Sequence, residues 1–207
     1  MPPRLIIQLL ILVFAICWAA QGTVSAQSGN GAFAARFPTD ELTIWGGGSV
    51  HTSRIASRLR DATLGMAGVT YARTLLRTRV AALQYTFDVI PAAFLHYPRS
   101  DTGTFTTTYG AGFSPLGIRV NFRPHGRLQP FAGLRGGCLY FAGRIPGASG
   151  AHFNFTVGLG GGLRIVSRSG RALSFGYMLH HISNADRAPV NPGLDSGIIY
   201  AGYSFFR

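Results

Sequence analysis

The chain has 207 residues, of which 47% are hydrophobic and only 13% charged; 19 Lys and Arg against 7 Asp and Glu give a net charge of +12. That length suits one domain, and two cysteines exclude a disulfide-stapled scaffold or a cysteine metal cluster. The basic excess calls for an anionic partner, and for an exported chain that means lipid head groups and phosphates rather than nucleic acid.

Export is read from the first segment. Met1 to Arg4 makes a short positive start, Leu5 to Ala20 is almost wholly apolar, and Val24-Ser25-Ala26 has the small-x-small form of a signal peptidase site. The expectation is a signal peptide over residues 1–26, cleaved before Gln27. The rival is an uncleaved anchor, but the apolar run is short of the roughly 20 residues a spanning helix needs. Cys17 falls within that segment, which leaves Cys138 as a small apolar wall residue of the domain over 27–207.

Beyond Gln27 no stretch keeps a helical period, and alternation with period two takes over. In the clearest case Phe153, Phe155, Val157, Leu159, Leu163 and Ile165 share one face, opposite Asn154, Thr156, three glycines and Arg164. Leu83, Tyr85, Phe87 and Val89 likewise oppose Gln84, Thr86 and Asp88, and Leu116, Ile118, Val120 and Phe122 oppose Gly117, Arg119 and Asn121. Eight segments emerge, at 42–51, 63–76, 80–95, 105–122, 128–142, 152–166, 172–183 and 196–206. Their connections alternate between short turns, near 77–79, 124–126 and 169–170, and longer loops, near 52–62, 96–104, 143–151 and 184–195.

Two closed architectures hold such a pattern. A soluble lipocalin-like barrel turns its apolar face inward, whereas a membrane barrel turns it outward and carries short turns at one end and longer loops at the other. Small and polar residues opposite bulky apolar ones, 28 glycines and the aromatic C-terminal strand GIIYAGYSFFR favour the second. The fold class predicted is all-β, an eight-stranded antiparallel transmembrane β-barrel with both termini and the short turns on the periplasmic side. Asp88, Arg119 and Arg164 then face the lumen, where buried charges need partners.

The stretch HHISNADRAPVNPGLDSG, residues 180–197, concentrates polar groups at the end of the seventh segment. Leu173, Phe175, Tyr177 and Leu179 continue by parity into His181 and Ser183, so both polar side chains share the lipid-facing row at its upper rim. Residues two apart on a strand stand roughly 6–7 Å apart. A polar group aimed at lipid costs several kcal/mol unless it is paired or needed. A serine becomes a nucleophile when a histidine takes its proton and a carboxylate fixes that histidine's tautomer. Asp186 and Asp195 are both within reach of the loop, and Asn184 can donate to an oxyanion. His180 takes the opposite parity and is expected to be structural. His51, His96, His125 and His152 show no metal-ligand spacing.

His181-Ile182-Ser183-Asn184-Ala185 followed by Asn191-Pro192-Gly193-Leu194-Asp195-Ser196 resembles the lipid A 3-O-deacylase (PagL) and acyloxyacyl hydrolase-like family of eight-stranded outer-membrane barrels. SPLGIRVNFRPHGRLQPFAGLRGG is similar to the same family, and the resemblance covers residues 112–207. The family's His-x-Ser-Asn signature falls on 181–184, and its acidic member, twelve positions beyond the serine, falls on Asp195 rather than Asp186. The best-known member has Glu there, so the side chain here is one methylene shorter. The resemblance implies a serine esterase that hydrolyses an ester-linked acyl chain, at the 3 position, of lipid A. Ser183 is then the nucleophile, His181 the base, Asp195 the orienting acid and Asn184 an oxyanion donor, with no metal or cofactor. The implied partners are lipid A or lipopolysaccharide and the outer membrane of a Gram-negative-type bacterium, and a homodimer is compatible with this reading. Arg54, Arg58, Arg60, Arg99, Arg144 and Arg187 of the outer loops could meet lipid A phosphates, although loop solubility explains them as well. The rival from another class is a non-enzymatic structural or adhesive barrel.

Overall fold

The computed structural model describes residues 39–53, 57, 59–191 and 193–207. The signal-peptide segment, Arg54, Arg58 and Pro192 lie outside the described residues. Eight strands follow one another in chain order: β1 (Asp40–Ser53), β2 (Thr63–Arg77), β3 (Ala81–Pro98), β4 (Phe105–Phe122), β5 (Leu128–Ile145), β6 (Ala151–Val166), β7 (Arg171–Ser183) and β8 (Leu194–Phe206). Each pairs antiparallel with its sequence neighbour, and β1 pairs with β8, so the sheet closes on itself. Closure leaves no strand edge unpaired, the condition for crossing hydrocarbon with strands.

The alternation read from sequence appears as two unlike walls. Outward stand Ile44 at 56% exposure, Leu116 at 74% and Phe175 at 54%. Inward stand Thr70, Gln84, Asp88, Asn121, Asn154 and Arg164, all buried. A soluble barrel would have the opposite polarity, so the lipocalin-like alternative falls. Several strands run further than their periodicity indicated. β3 continues to Pro98 and β5 to Ile145, which shortens the predicted loop over 143–151 to residues 146–150. The alternation of apolar and polar faces fades toward these strand ends, while the hydrogen-bonded ladder continues.

An eight-stranded barrel has an interior just wide enough for side chains to fill. Near the end that holds the termini, Glu41 is the hub. Its Oε1 accepts from Arg164 Nη2 at 2.8 Å and its Oε2 from Arg119 Nη2 at 2.6 Å. Asn121 accepts from Arg164 Nη1 at 2.8 Å, and Gln84 Oε1 accepts from Arg119 Nε at 2.9 Å and Asn121 Nδ2 at 2.6 Å. Higher up, Asp88 accepts from Thr70 and faces Arg135 Nη1 at 3.4 Å, and the Arg135 guanidinium lies over Trp45, 5.6 Å from the ring centroid. The lumen network thus differs from the expected one. Asp88 does not join Arg119 and Arg164; it belongs to a second cluster with Arg135, and Glu41 takes its place. Gly176 makes room for this packing, since a Cβ there would stand 2.6 Å from the Tyr200 ring. That ring in turn meets Trp45 edge-on at 6.4 Å between centroids.

Removing one partner of a buried ion cluster leaves an uncompensated charge, which costs about 3–5 kcal/mol. Glu41→Ala should therefore lower barrel stability by about that amount, read as urea unfolding in detergent micelles, because it strands Arg164 and Arg119 together.

Candidate active site

Along β7 the side chains sort by parity. Ala172, Ser174, Met178, His180 and Ile182 are buried toward the lumen, and Leu173, Phe175 and Tyr177 are exposed on the wall. His181 and Ser183 continue the outward row, half-buried. Antiparallel pairing with β8 sets His181 directly opposite Asp195, and pairing with β6 sets Val157 opposite His181 and Phe155 opposite Ser183. Directly opposed residues have Cβ atoms about 4.5–5.5 Å apart, near enough for short side chains to meet.

The imidazole and the carboxylate do meet. His181 Nδ1 lies 2.6 Å from Asp195 Oδ1, with 33% of the His side chain exposed and 8% of the Asp. The shorter acid therefore spans the gap without the extra methylene of Glu. With Nδ1 engaged, Nε2 is the ring nitrogen left for a proton from outside the pair. Among the described residues no hydrogen bond or ion pair joins the Asp186 carboxylate to His181. That carboxylate accepts instead from Asn191 Nδ2 at 2.9 Å.

Ser183 is held from the loop side. Its Oγ donates to Asn191 Oδ1 at 3.2 Å and accepts from Asn191 Nδ2 at 3.0 Å and from the Ala185 amide at 3.1 Å. Among the described residues no hydrogen bond joins His181 to Ser183. Catalytic hydrogen bonds often tighten only when substrate arrives. Asn184 is buried, with its backbone N donating to Asn191 Oδ1 at 3.1 Å and its Nδ2 to Val190 O at 2.9 Å. The amide expected to serve an oxyanion is thus spent on the loop backbone in the free protein. Asn191, which parity could not single out because it lies in a loop, touches Ser183, Asn184 and Asp186 at once. His180 faces the lumen beside Ser196, its register partner, and both are buried.

The loop is braced by its neighbours. Val190 N donates to Ser149 O at 3.2 Å, and Ser100 N donates to Pro146 O at 2.9 Å. Asp101 ties these loops together, pairing with Arg99 at 2.6 Å and accepting from Ala148 N at 3.1 Å. The Arg99 hydrogen bond, then the Ala148 amide, hold the Asp101 carboxyl well below the usual carboxylate range. Across the site, the Arg187 guanidinium lies 5.6 Å from the centroid of Phe155.

The sequence profile of a family described as lipid A 3-O-deacylase (PagL) matches residues 66–204. No curated protein matches the chain in sequence. Among solved structures, the crystal structure of the outer membrane enzyme PagL superimposes with a TM-score of 0.55 at 20% identity, covering 81% of this chain and 99% of that one. Neisserial surface protein A (NspA) gives a TM-score of 0.52 at 13% identity, covering 82% and 97%. At such identities both likenesses speak for the barrel fold.

The depressed Asp101 carboxyl has a pH consequence. Its contribution is complete above the unfolded value of about 3.9 and is lost only as pH falls through the lower folded value. Exchange protection at Ala148 N, corrected for intrinsic rate, should hold between neutral and mildly acid pH in the native chain and be lost in Asp101→Ala.

Proposed function

Since the chain belongs to the lipid A 3-O-deacylase (PagL) family, we propose that it is an outer-membrane esterase that removes an ester-linked acyl chain from lipid A, with Ser183, His181 and Asp195 as its catalytic triad. The observation that carries the residue assignment is the 2.6 Å contact of His181 Nδ1 with Asp195, on the same outward row as Ser183. In this reading residues 1–26 are a cleaved signal peptide that exports the chain.

The hydroxyl proton of Ser183 rests on Asn191 Oδ1 and must swing to His181 Nε2 as the ester arrives. Ser183 Oγ then bonds to the ester carbonyl carbon, and His181 takes the proton. Asp195 holds the resulting imidazolium in place. Negative charge develops on the carbonyl oxygen, next to the Ala185 N–H and the Asn191 Nδ2 that already point at Ser183 Oγ. Asn184 serves as a further donor once its Nδ2 leaves Val190. The intermediate collapses by expelling the sugar oxygen, which takes its proton from His181, and leaves an acyl-serine. Water, deprotonated by His181, releases the fatty acid and restores Ser183.

The surroundings suit a lipid lying in the membrane plane. Phe155, at 41% exposure, and Val157, at 50%, form the wall beside Ser183 and His181 against which an acyl chain can lie. Arg187, with no carboxylate partner among the described residues, stands over Phe155 at the water-facing side. Arg99, by contrast, is committed to Asp101. Arg187 is therefore a loop arginine placed to receive a sugar phosphate of the substrate.

Three substitutions test this assignment by mass spectrometry of lipid A from cells whose lipid A carries the ester. Ser183→Ala should leave lipid A fully acylated, and lipid A trimmed as by the native chain would overturn Ser183 as the nucleophile. Asp195→Ala should cut kcat by about 10²–10⁴-fold, while Asp195→Glu should retain activity. With purified protein, Arg187→Gln should raise KM by roughly tenfold with kcat nearly unchanged, and the difference should shrink on dephosphorylated lipid A.

A further inference from the structure

The turn that follows Ser183 is built against its own backbone preference. Asn184 O accepts from Arg187 N at 3.2 Å, and the two residues between them, Ala185 and Asp186, have φ of 53° and 58°. Positive φ at both central positions is the geometry of a type I′ turn, which Asn-Gly or Asp-Gly fills without steric cost. Here the second position carries a carboxylate where glycine would be easiest. Strain of this kind persists where the surroundings impose it, and it clusters at functional sites.

What Asp186 gains in that conformation is contact with Asn191. The Asn191 side chain is an amide with two ends, and each end has two partners. Oδ1 accepts from Ser183 Oγ and from Asn184 N; Nδ2 donates to Ser183 Oγ and to Asp186 Oδ1. Were the amide flipped, its NH2 would confront the Asn184 N–H and its oxygen would confront a carboxylate. Asn184 N and Asp186 therefore select one orientation between them, and that orientation aims an N–H at the candidate nucleophile.

The geometry points to Asp186 as a positioning residue for the deacylation reaction: its carboxylate locks the Asn191 amide so that Nδ2–H stays on Ser183 Oγ and on the negative charge that forms beside it. This rests on the functional reading above and adds to it. Asp186 touches neither substrate nor His181, and it acts through Asn191. The strained turn is retained because a glycine there would relax the backbone but remove the lock.

Two properties that usually fall together should then separate. Asp186→Gly relieves the positive φ, so its thermal midpoint in detergent micelles should equal or exceed that of the native chain. Its kcat on lipid A should nevertheless fall by roughly tenfold, the loss expected for one hydrogen bond, with KM little changed. Asp186→Asn, which keeps an oxygen acceptor and tolerates positive φ, should recover most of the lost kcat. In an Asn191→Ala background, Asp186→Gly should have no further effect, because the two residues work as one unit.

Native kcat in Asp186→Gly, or an undiminished effect of that change in the Asn191→Ala background, would overturn the lock. Ser183→Ala run in parallel separates the two levels of inference. If it stays active, the esterase assignment at Ser183 fails and takes the lock with it. If it is dead while Asp186→Gly matches the native chain, only the lock fails.

Discussion

The register between β7 and β8 is what the site depends on. His181 and Asp195 are fourteen residues apart in the chain, and they meet because antiparallel pairing sets them opposite each other on the outer wall. A slip of one residue would turn every side chain of a strand to the other face and send Asp195 into the lumen. That slip is prevented from a distance. The inward row of β8, from Ser196 and Ile198 to Ser204, is buried against the filled interior. Displacing it would expose polar residues to lipid and drive outward apolar ones such as Ile199 against the polar side chains of the lumen.

The lumen therefore does more than occupy volume. Glu41 accepts from arginines on β4 and β6, strands far from its own, and so ties together parts of the barrel that share no ladder. Above it Trp45, Tyr200 and Arg135 pack as a second layer. The two layers hold the walls in one cross-section, and a strand that cannot tilt cannot move its outer end. Precision at the rim, where a 2.6 Å contact has to survive beside a mobile lipid, comes from rigid packing below it.

Much of this was legible in the residues. Period-two alternation located all eight strands, because each strand separates hydrocarbon from a polar interior and the contrast is steep. The outward parity of His181 and Ser183 followed from the same rule, whereas parity left Asp186 and Asp195 both open and only the family resemblance pointed to Asp195. Three features were not legible. Near strand ends such as Pro98 and Ile145 the inward side chains, among them Leu95, Tyr97, Leu139 and Phe141, are themselves apolar and buried, so the contrast of polar inside and apolar outside no longer marks the ladder. Glu41 sits next to the first apolar residue of β1 and looks like a turn acid, since its partners come from distant strands. Asn191 lies in a loop, where no period exists, and its part appears only when the backbone folds it over Ser183.

The packed interior has a last consequence, for the cell rather than for the reaction. A protein that works on the outer face of a barrier and needs no opening through it can be present in many copies without letting solutes leak. Because the residues of the candidate site are on the outside of the staves, the hollow of the barrel is free to be occupied by tryptophan, tyrosine and arginine. Lipid remodelling at that wall needs no passage through the protein.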